Sequence, residues 1–196
     1  LYAHYSILEI DGKRCFKYET MYYDTDNFYF YHQHHNQRVN RYKVRCRKYI
    51  DSQKSYFEIK FKDNRDKTIK NRCRLQSHDF VREIPEDTKH FAEQFFRPAD
   101  RHLLDRIGPK LRVDYSRITL AGKEFKERVT IDTNLAYIYR DGRVHTLENV
   151  VIAELKQEKV CRESPIVLCF RDMRILPANF SKYCMGVSML YDQVKK

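Results

Sequence analysis

Nine residues, Arg41 to Tyr49, read RYKVRCRKY and alternate strictly between cations and a second, largely apolar set. Successive side chains of a strand point to opposite faces, so a period of two over this length predicts a β-strand. One face then carries Arg41, Lys43, Arg45 and Arg47, and the other Tyr42, Val44, Cys46 and Lys48. Two neighbouring segments repeat the pattern. YFEIKFK sets Glu58, Lys60 and Lys62 against Phe57, Ile59 and Phe61, and TIKNRCRL sets Lys70, Arg72 and Arg74 against Ile69, Cys73 and Leu75. Like charges facing one another across strands destabilise a sheet. Three basic faces side by side therefore predict a polyanion in the space they share.

The rest of the composition fits one folded domain over residues 1–196. The chain has 42% hydrophobic residues, which excludes a disordered polyelectrolyte, and a net charge of +11, which calls for an anionic partner. No apolar run approaches the ~20 residues that span a bilayer. The six cysteines have no zinc-like spacing and read as reduced structural thiols of a cytoplasmic protein.

Along the chain, Leu1 to Ile10 fits either a helix end or a strand, and Gly12 marks a turn. Phe16 to Tyr23 reads as a strand closed by the turn Asp24–Asn27, and Phe28 to Tyr31 as a short aromatic strand. His32, His34 and His35 in the following HQHHNQ match no familiar metal spacing and read as a polar loop. A helical insertion is expected at about 79–108. It starts at Pro85-Glu86-Asp87, carries Phe91, Phe95 and Phe96 at helical spacing, and continues after Pro98 through Leu103, Leu104 and Ile107 to a stop at Gly108-Pro109.

Strands then resume: KLRVDYSRITL puts Leu111, Val113, Tyr115 and Arg117 on one side, and KERVTIDTNLAYIY puts Arg128, Thr130 and Asp132 against Val129 and Ile131. Asp141-Gly142 is a hairpin turn, and VVIAELKQ sets Ile152, Glu154 and Lys156 against Val151, Ala153 and Leu155. Ser164-Pro165 starts one helix, and Ser181 caps a last one, at about 181–194, with a stripe of Cys184, Val187, Leu190, Tyr191 and Val194. The expected fold class is α+β: about eight antiparallel strands closed into a barrel with a basic lumen, and helices packed outside.

Seven segments in order carry a resemblance: Y-x-T-x-Y-Y-D-T from Tyr18, N-R-Y-K-V-R-C-R-K-Y from Asn40, F-E-I-K-F-K from Phe57, L-R-V-D-Y-S-R from Leu111, R-V-T-I-D-T-N-L from Arg128, A-E-L-K from Ala153 and N-F-S-K-Y from Asn179. Together, over Tyr18 to Tyr191, they resemble the vacuolar transporter chaperone (VTC) domain, the polyphosphate-polymerase-like branch of the triphosphate tunnel (CYTH) superfamily. The resemblance implies an eight-stranded tunnel that binds ATP or another triphosphate, together with polyphosphate and a divalent metal, Mn2+ or Mg2+.

By position it implies catalytic roles for the paired arginines Arg45 and Arg47, for Lys60, Arg117 and Arg128, and for Lys182 at the tunnel mouth. Lys43, Lys70, Arg72, Tyr115 and Lys156 become substrate-binding candidates, and Glu154, assisted by Glu58, the metal ligands. It further implies a membrane-protein partner, as family members work beside integral membrane proteins, although this segment carries no anchor of its own. Family members open with a basic strand; Lys13, Arg14 and Lys17 stand in a different context, so that strand is expected to be missing or to lie upstream of Leu1.

The chemistry asks for these residue types independently of the resemblance. Phosphoryl transfer is catalysed mainly by positioning and charge stabilisation. The guanidinium fork binds phosphate oxygens bidentately. A unit-charge contact at ~4 Å is worth about 1 kcal/mol in bulk water and about 4 at an effective dielectric near 20, so a partly enclosed tunnel is where such a row has value. Three activities stay open on the sequence: polyphosphate polymerase using ATP, tunnel triphosphatase, and a non-catalytic polyanion-binding domain. Nucleic acid is not expected as partner, because cations inside a narrow barrel cannot reach a duplex and no recognition helix or zinc motif is present.

Overall fold

The computed structural model describes residues 1–65, 67–76, 84, 88–192 and 194. Its centre is an antiparallel sheet of nine strands: β1 (Tyr5–Ile7), β2 (Phe16–Thr25), β3 (Arg41–Tyr49), β4 (Lys54–Lys62), β5 (Thr68–Arg74), β6 (Ile107–Gly122), β7 (Glu127–Ile138), β8 (Val144–Leu147) and β9 (Ile152–Gln157). Spatial order is β5-β4-β3-β2-β6-β7-β8, with β1 also on β6 and β9 also on β7. The α+β antiparallel class is as expected; β1 and the short β8 are added to the expected eight strands and the one at Phe28–Tyr31 is lost, which gives nine. The wall does not close: among the described residues β5 pairs only with β4, and β9 only with β7. Exposed Lys70, Arg72 and Arg74 line the β5 edge, and such charges discourage further strand addition.

The sheet is nevertheless strongly curled. Five strand spacings separate β4 from β9, about 24 Å on a flat sheet at ~4.8 Å each. Yet the Lys60 ammonium on β4 feels the charges of Glu154 and Lys156 on β9. The even positions of β4 and the odd positions of β3 thus face inward across a concave surface.

Three apolar clusters hold this shape. On the convex side of β2–β4, Met21, Tyr23, Tyr42, Val44, Cys46, Phe57 and Ile59 pack under Ala92, Phe96 and Leu103. These last three come from α2 (Lys89–Phe95), its C-cap, and a 3-10 helix, Pro98–Arg106. Tyr5, Val129 and Ile166 form a small cluster under α3 (Pro165–Asp172). On the concave side α4 (Lys182–Leu190) lays Tyr183, Val187 and Leu190 against Leu111, Val113, Leu135 and Tyr137. The fit is close at Gly186, where an added Cβ would stand 2.4 Å from Leu111 and 2.5 Å from Tyr137. One end of the expected lumen is therefore filled, by a helix expected outside.

Two local expectations are corrected. The aromatic segment after Asn27 is helical, α1 (Tyr29–His35), not a strand, and it takes in the three histidines read as loop. The buried Asp24 carboxylate accepts from the amides of Thr25, Phe30 and Tyr31, and Thr25 Oγ1 accepts from Tyr29 N. The first-turn donors that would otherwise be orphaned are satisfied from the preceding strand. Ile107, Gly108 and Pro109 belong to β6 rather than to a helix and its stop. Tyr22 pairs with Leu111 but Tyr23 with Pro109, so Lys110 is the extra residue of a bulge, the setting in which a strand accepts proline.

Pro85, Glu86 and Asp87, the expected helix start, lie outside the described residues. Ser164 and Ser181 cap α3 and α4 as expected, accepting from Val167 N and Cys184 N. No described helix is long and apolar enough to cross a membrane.

Candidate functional site

Register places the cations in rows across the concave face. Lys43 of β3 stands opposite Lys60 of β4, which stands opposite Lys70 of β5. The next row is Arg45, Glu58 and Arg72, followed by Arg47, Tyr56 and Arg74. Glu58 is 1% exposed and is the counter-ion of this wing. Arg45 Nε donates to its Oε2 at 2.6 Å, Arg47 Nη1 lies 4.0 Å from the same oxygen, and Lys70 Nζ is 3.1 Å from Oε1 at an angle that makes an ion pair rather than a hydrogen bond. Burial would raise the Glu58 carboxyl, but Arg45, Arg47 and Lys70 overcome it and hold it at about 2.

One carboxylate cannot balance this wing. Burial pushes the Lys43 and Lys60 ammoniums down, and Arg45 repels both, joined by Lys60 at Lys43 and by Lys156 and Arg41 at Lys60. Lys43 donates to a neutral partner, Ser181 Oγ, at 3.1 Å, and Lys60 has no hydrogen bond or ion pair among the described residues.

A second nest sits on β6, β7 and α4. Arg117 holds the fully buried Asp132 bidentately, Nε to Oδ1 at 2.5 Å and Nη2 to Oδ2 at 2.8 Å, and Lys182 Nζ donates to Oδ2 at 2.5 Å. Burial opposes the charge on Asp132, while the Arg117 bond and Lys182 keep its carboxyl below the usual range.

Tyrosines join the two nests. Tyr18 stacks on Tyr115 with centroids 5.1 Å apart, and the Arg47 and Arg117 guanidiniums lie 5.9 and 5.4 Å from the Tyr18 centroid. Arg117 and Lys182 also sit over Tyr115, at 5.2 and 5.0 Å, and its buried hydroxyl has no partner among the described residues. Tyr22, opposite Arg45, stacks on Tyr183. Burial would raise its phenol, but Arg45, Arg47, Lys43 and Lys182 draw it below its ordinary value.

Of the residues singled out in the sequence, Lys43, Arg45, Arg47, Lys60, Lys70, Tyr115, Arg117 and Lys182 share this face. Arg72 lies at its edge, exposed and 4.8 Å from the Tyr56 centroid. Glu154 and Lys156 face it from the rim of β9, paired at 3.1 Å and half exposed. Arg128 is exposed one row further, opposite Lys156. Asp132, Tyr18, Tyr22 and Ser181 are site neighbours that the sequence reading left out. Asp132 lies in alternation with Arg128 on the basic side of its strand, which was the available signal; its partner Arg117 becomes evident only with the β6–β7 register.

The two carboxylates read as metal ligands separate here. Glu58 is enclosed by Arg45, Arg47 and Lys70 and does not fit a metal. Glu154 fits better: half exposed, it is held charged by Lys156, Arg117 and Lys182 against its partial burial. Mg2+ and Mn2+ sites built from one carboxylate plus substrate phosphates are ordinary. No described group of three or more His, Cys, Asp or Glu could by itself hold a metal. A separate hollow on the convex side, between Lys89, Ala92, Leu104, Ile107 and Pro109, contains none of the predicted site residues.

Comparison with known proteins adds three findings. The sequence model of the VTC domain matches residues 1–191. No curated protein matches. Among solved structures, one from Vibrio parahaemolyticus, provisionally described as an adenylate cyclase, is similar at a TM-score of 0.44 and 11% identity, covering 87% of this chain and 71% of that one.

Proposed function

The chain belongs to the VTC domain family, and from that premise we propose that its concave face binds the triphosphate of ATP and transfers the γ-phosphoryl group to a polyphosphate end. The observation that carries this reading is the row Lys43–Lys60–Lys70, three ammoniums in register across adjacent strands beside Arg45 and Arg47. Directly opposed like charges destabilise a sheet, a cost that a bound polyanion turns into binding energy.

In this reading Arg45 and Arg47 grip phosphate oxygens while Glu58 fixes their forks in place. Lys43 and Lys60 neutralise the charge that spreads over the equatorial oxygens, and the unpartnered Tyr115 hydroxyl donates to one of them. The terminal oxygen of the acceptor chain attacks the γ-phosphorus, the bond to the β–γ bridging oxygen breaks, and ADP leaves. Glu154 is the residue to hold a divalent cation, whose chemistry would be charge neutralisation between neighbouring phosphates.

Incubation with ATP and Mn2+ tests the reading: long-chain polymer plus ADP supports it, whereas orthophosphate release alone makes the chain a triphosphatase. Glu154→Gln should abolish metal-dependent turnover and leave triphosphate affinity within about twofold, since Glu154 is not among the cations that grip; full activity in that variant would overturn the metal assignment. A non-catalytic polyanion holder is the second reading. It is favoured by β1, which carries no cation, and by Lys13 and Arg14, which pair with Asp51 and Glu9 away from the site.

A further inference from the structure

The three histidines of α1 are not equivalent. Helical spacing sets His35 one turn on from Tyr31, and the two rings stack with centroids 5.6 Å apart. His32 meets the same tyrosine edge-on, at 5.2 Å. His34 follows the buried Phe30 instead and lies toward β3 and β4. Its Nδ1 is buried without a hydrogen-bond partner among the described residues.

α1 packs against β2, β3 and α4. The charges that act on His34 most are Lys43 and Arg41 from β3 and Lys60 and Lys62 from β4, two directly opposed pairs of cations. On α4, Lys182 is bound to Asp132, Ser181 accepts from Lys43, and the Cys184 thiol beside Lys43 and Arg41 is pushed up by burial. From β2, Asp24 is engaged by the amides of Thr25, Phe30 and Tyr31 and by the Tyr183 hydroxyl. A neutral imidazole with its proton on Nε2 leaves only a lone pair at the buried nitrogen. A protonated ring puts an N–H there with no acceptor, and adds a positive charge to a cluster that already holds four.

We propose that α1 is an acid-sensitive cover on the β3–β4 end of the sheet: a proton taken up by His34 shifts the helix from docked to released and uncovers Tyr31. Burial and the four cations hold the docked imidazole at about 3, whereas in a released helix it returns to its ordinary 6.5. Docking is therefore favoured in full above 6.5, and that preference is lost as pH falls from there toward 3. Within this window the released fraction grows roughly tenfold per pH unit, to about thirtyfold at pH 5. Asp24 acts the other way. Burial raises its carboxyl, so acid relieves a buried charge and favours the docked helix; the release has to come from His34.

The test is amide hydrogen exchange of the full chain at pH 7.5 and pH 5, corrected for the intrinsic exchange rate and read as an opening equilibrium. The probes are the amides of Tyr31, bonded to Asp24, and of His32, bonded to the Phe28 carbonyl, against amides of β6 and β7. The expected result is about thirtyfold more opening of α1 at pH 5 with the strands unchanged. His34→Gln should abolish the acid response and His35→Gln keep it. His34→Leu, which also has no titrating group, is a second variant and should behave as His34→Gln does. An acid response that persists in both His34 variants overturns the proposal, as does its absence from wild type. Equal loss of protection in α1 and in the strands overturns it too, since that is global unfolding rather than release of a cover. So does a His34 ring that takes up its proton while the α1 amides stay protected.

Discussion

The two wings of the concave face solve the same problem differently. On β6–β7, one buried carboxylate, Asp132, meets two cations, Arg117 and Lys182, at 2.5–2.8 Å, and Arg117 spends both prongs of its fork on it. On β3–β5, Glu58 meets Arg45, Arg47 and Lys70, with Lys43 and Lys60 left over in the same rows. The first nest is close to charge-balanced, and it also ties the start of α4 to the sheet. The second is in excess, and its lysines are pushed down first by burial and then by neighbouring cations. Residues of one chemical type thus form a charge-matched clamp on one wing and a surplus of cations on the other, the surplus on which the proposed anion binding rests, decided by how many carboxylates stand behind them.

If that contrast is right, Asp132→Ala should give the largest loss of stability, about 3–5 kcal/mol, because it strands two poorly exposed cations and unlatches α4. Urea unfolding measures it, and a loss below about 1 kcal/mol would erase the difference between the wings.

Acid should then single out the other carboxylate. The folded Glu58 carboxyl is depressed, so its contribution is complete above an ordinary carboxylate value near 4.5 and is lost as pH falls toward 2. The gap is worth about 3 kcal/mol. Thermal unfolding of wild type and Glu58→Gln between pH 6 and pH 2.5 should converge as the acid limit is approached; parallel curves would mean that Glu58 is not held by the arginines.

Arg47→Ala should cost triphosphate affinity about ten- to a hundredfold, the range of a lost hydrogen bond to a charged group at roughly 1.4 kcal/mol per decade. Its effect on stability should be smaller than that of Asp132→Ala, because Arg45 and Lys70 still hold Glu58. An equal loss in both assays would make it a clamp residue. The smallest effect belongs to Ser181→Ala, about 1 kcal/mol of stability through the lost α4 cap, with a modest change in anion affinity because Lys43 loses its hydroxyl partner.

Much of the β3–β5 wing was legible in the sequence. The bounds of β3 and the basic and apolar sides of β3, β4 and β5 follow from period-two alternation, and the caps Ser164 and Ser181 from local helix-end chemistry. The misses share a cause. Phe28–Tyr31 resembles a strand by composition and the histidines after it a loop, but Asp24 and Thr25, already committed to β2, supply the hydrogen bonds that start a helix there. Asp132 has the alternation of a site residue and the partners of a structural clamp. Glu58 was read as a ligand for metal because a lone carboxylate among cations can be that or a counter-ion, and only distance separates the two.

By itself, then, the order of residues determined that three strands would bring cations to one surface, since backbone geometry sends alternate side chains to opposite sides whatever the rest of the chain does. It could not determine how far the sheet curls, that α4 fills one end of the hollow, or which arginines are already satisfied. Those depend on contacts between segments far apart in sequence: Lys182 is 50 residues from Asp132 and Tyr183 is 159 from Asp24. Charge balance is a sum over neighbours in space, so it is fixed only when the fold has chosen them.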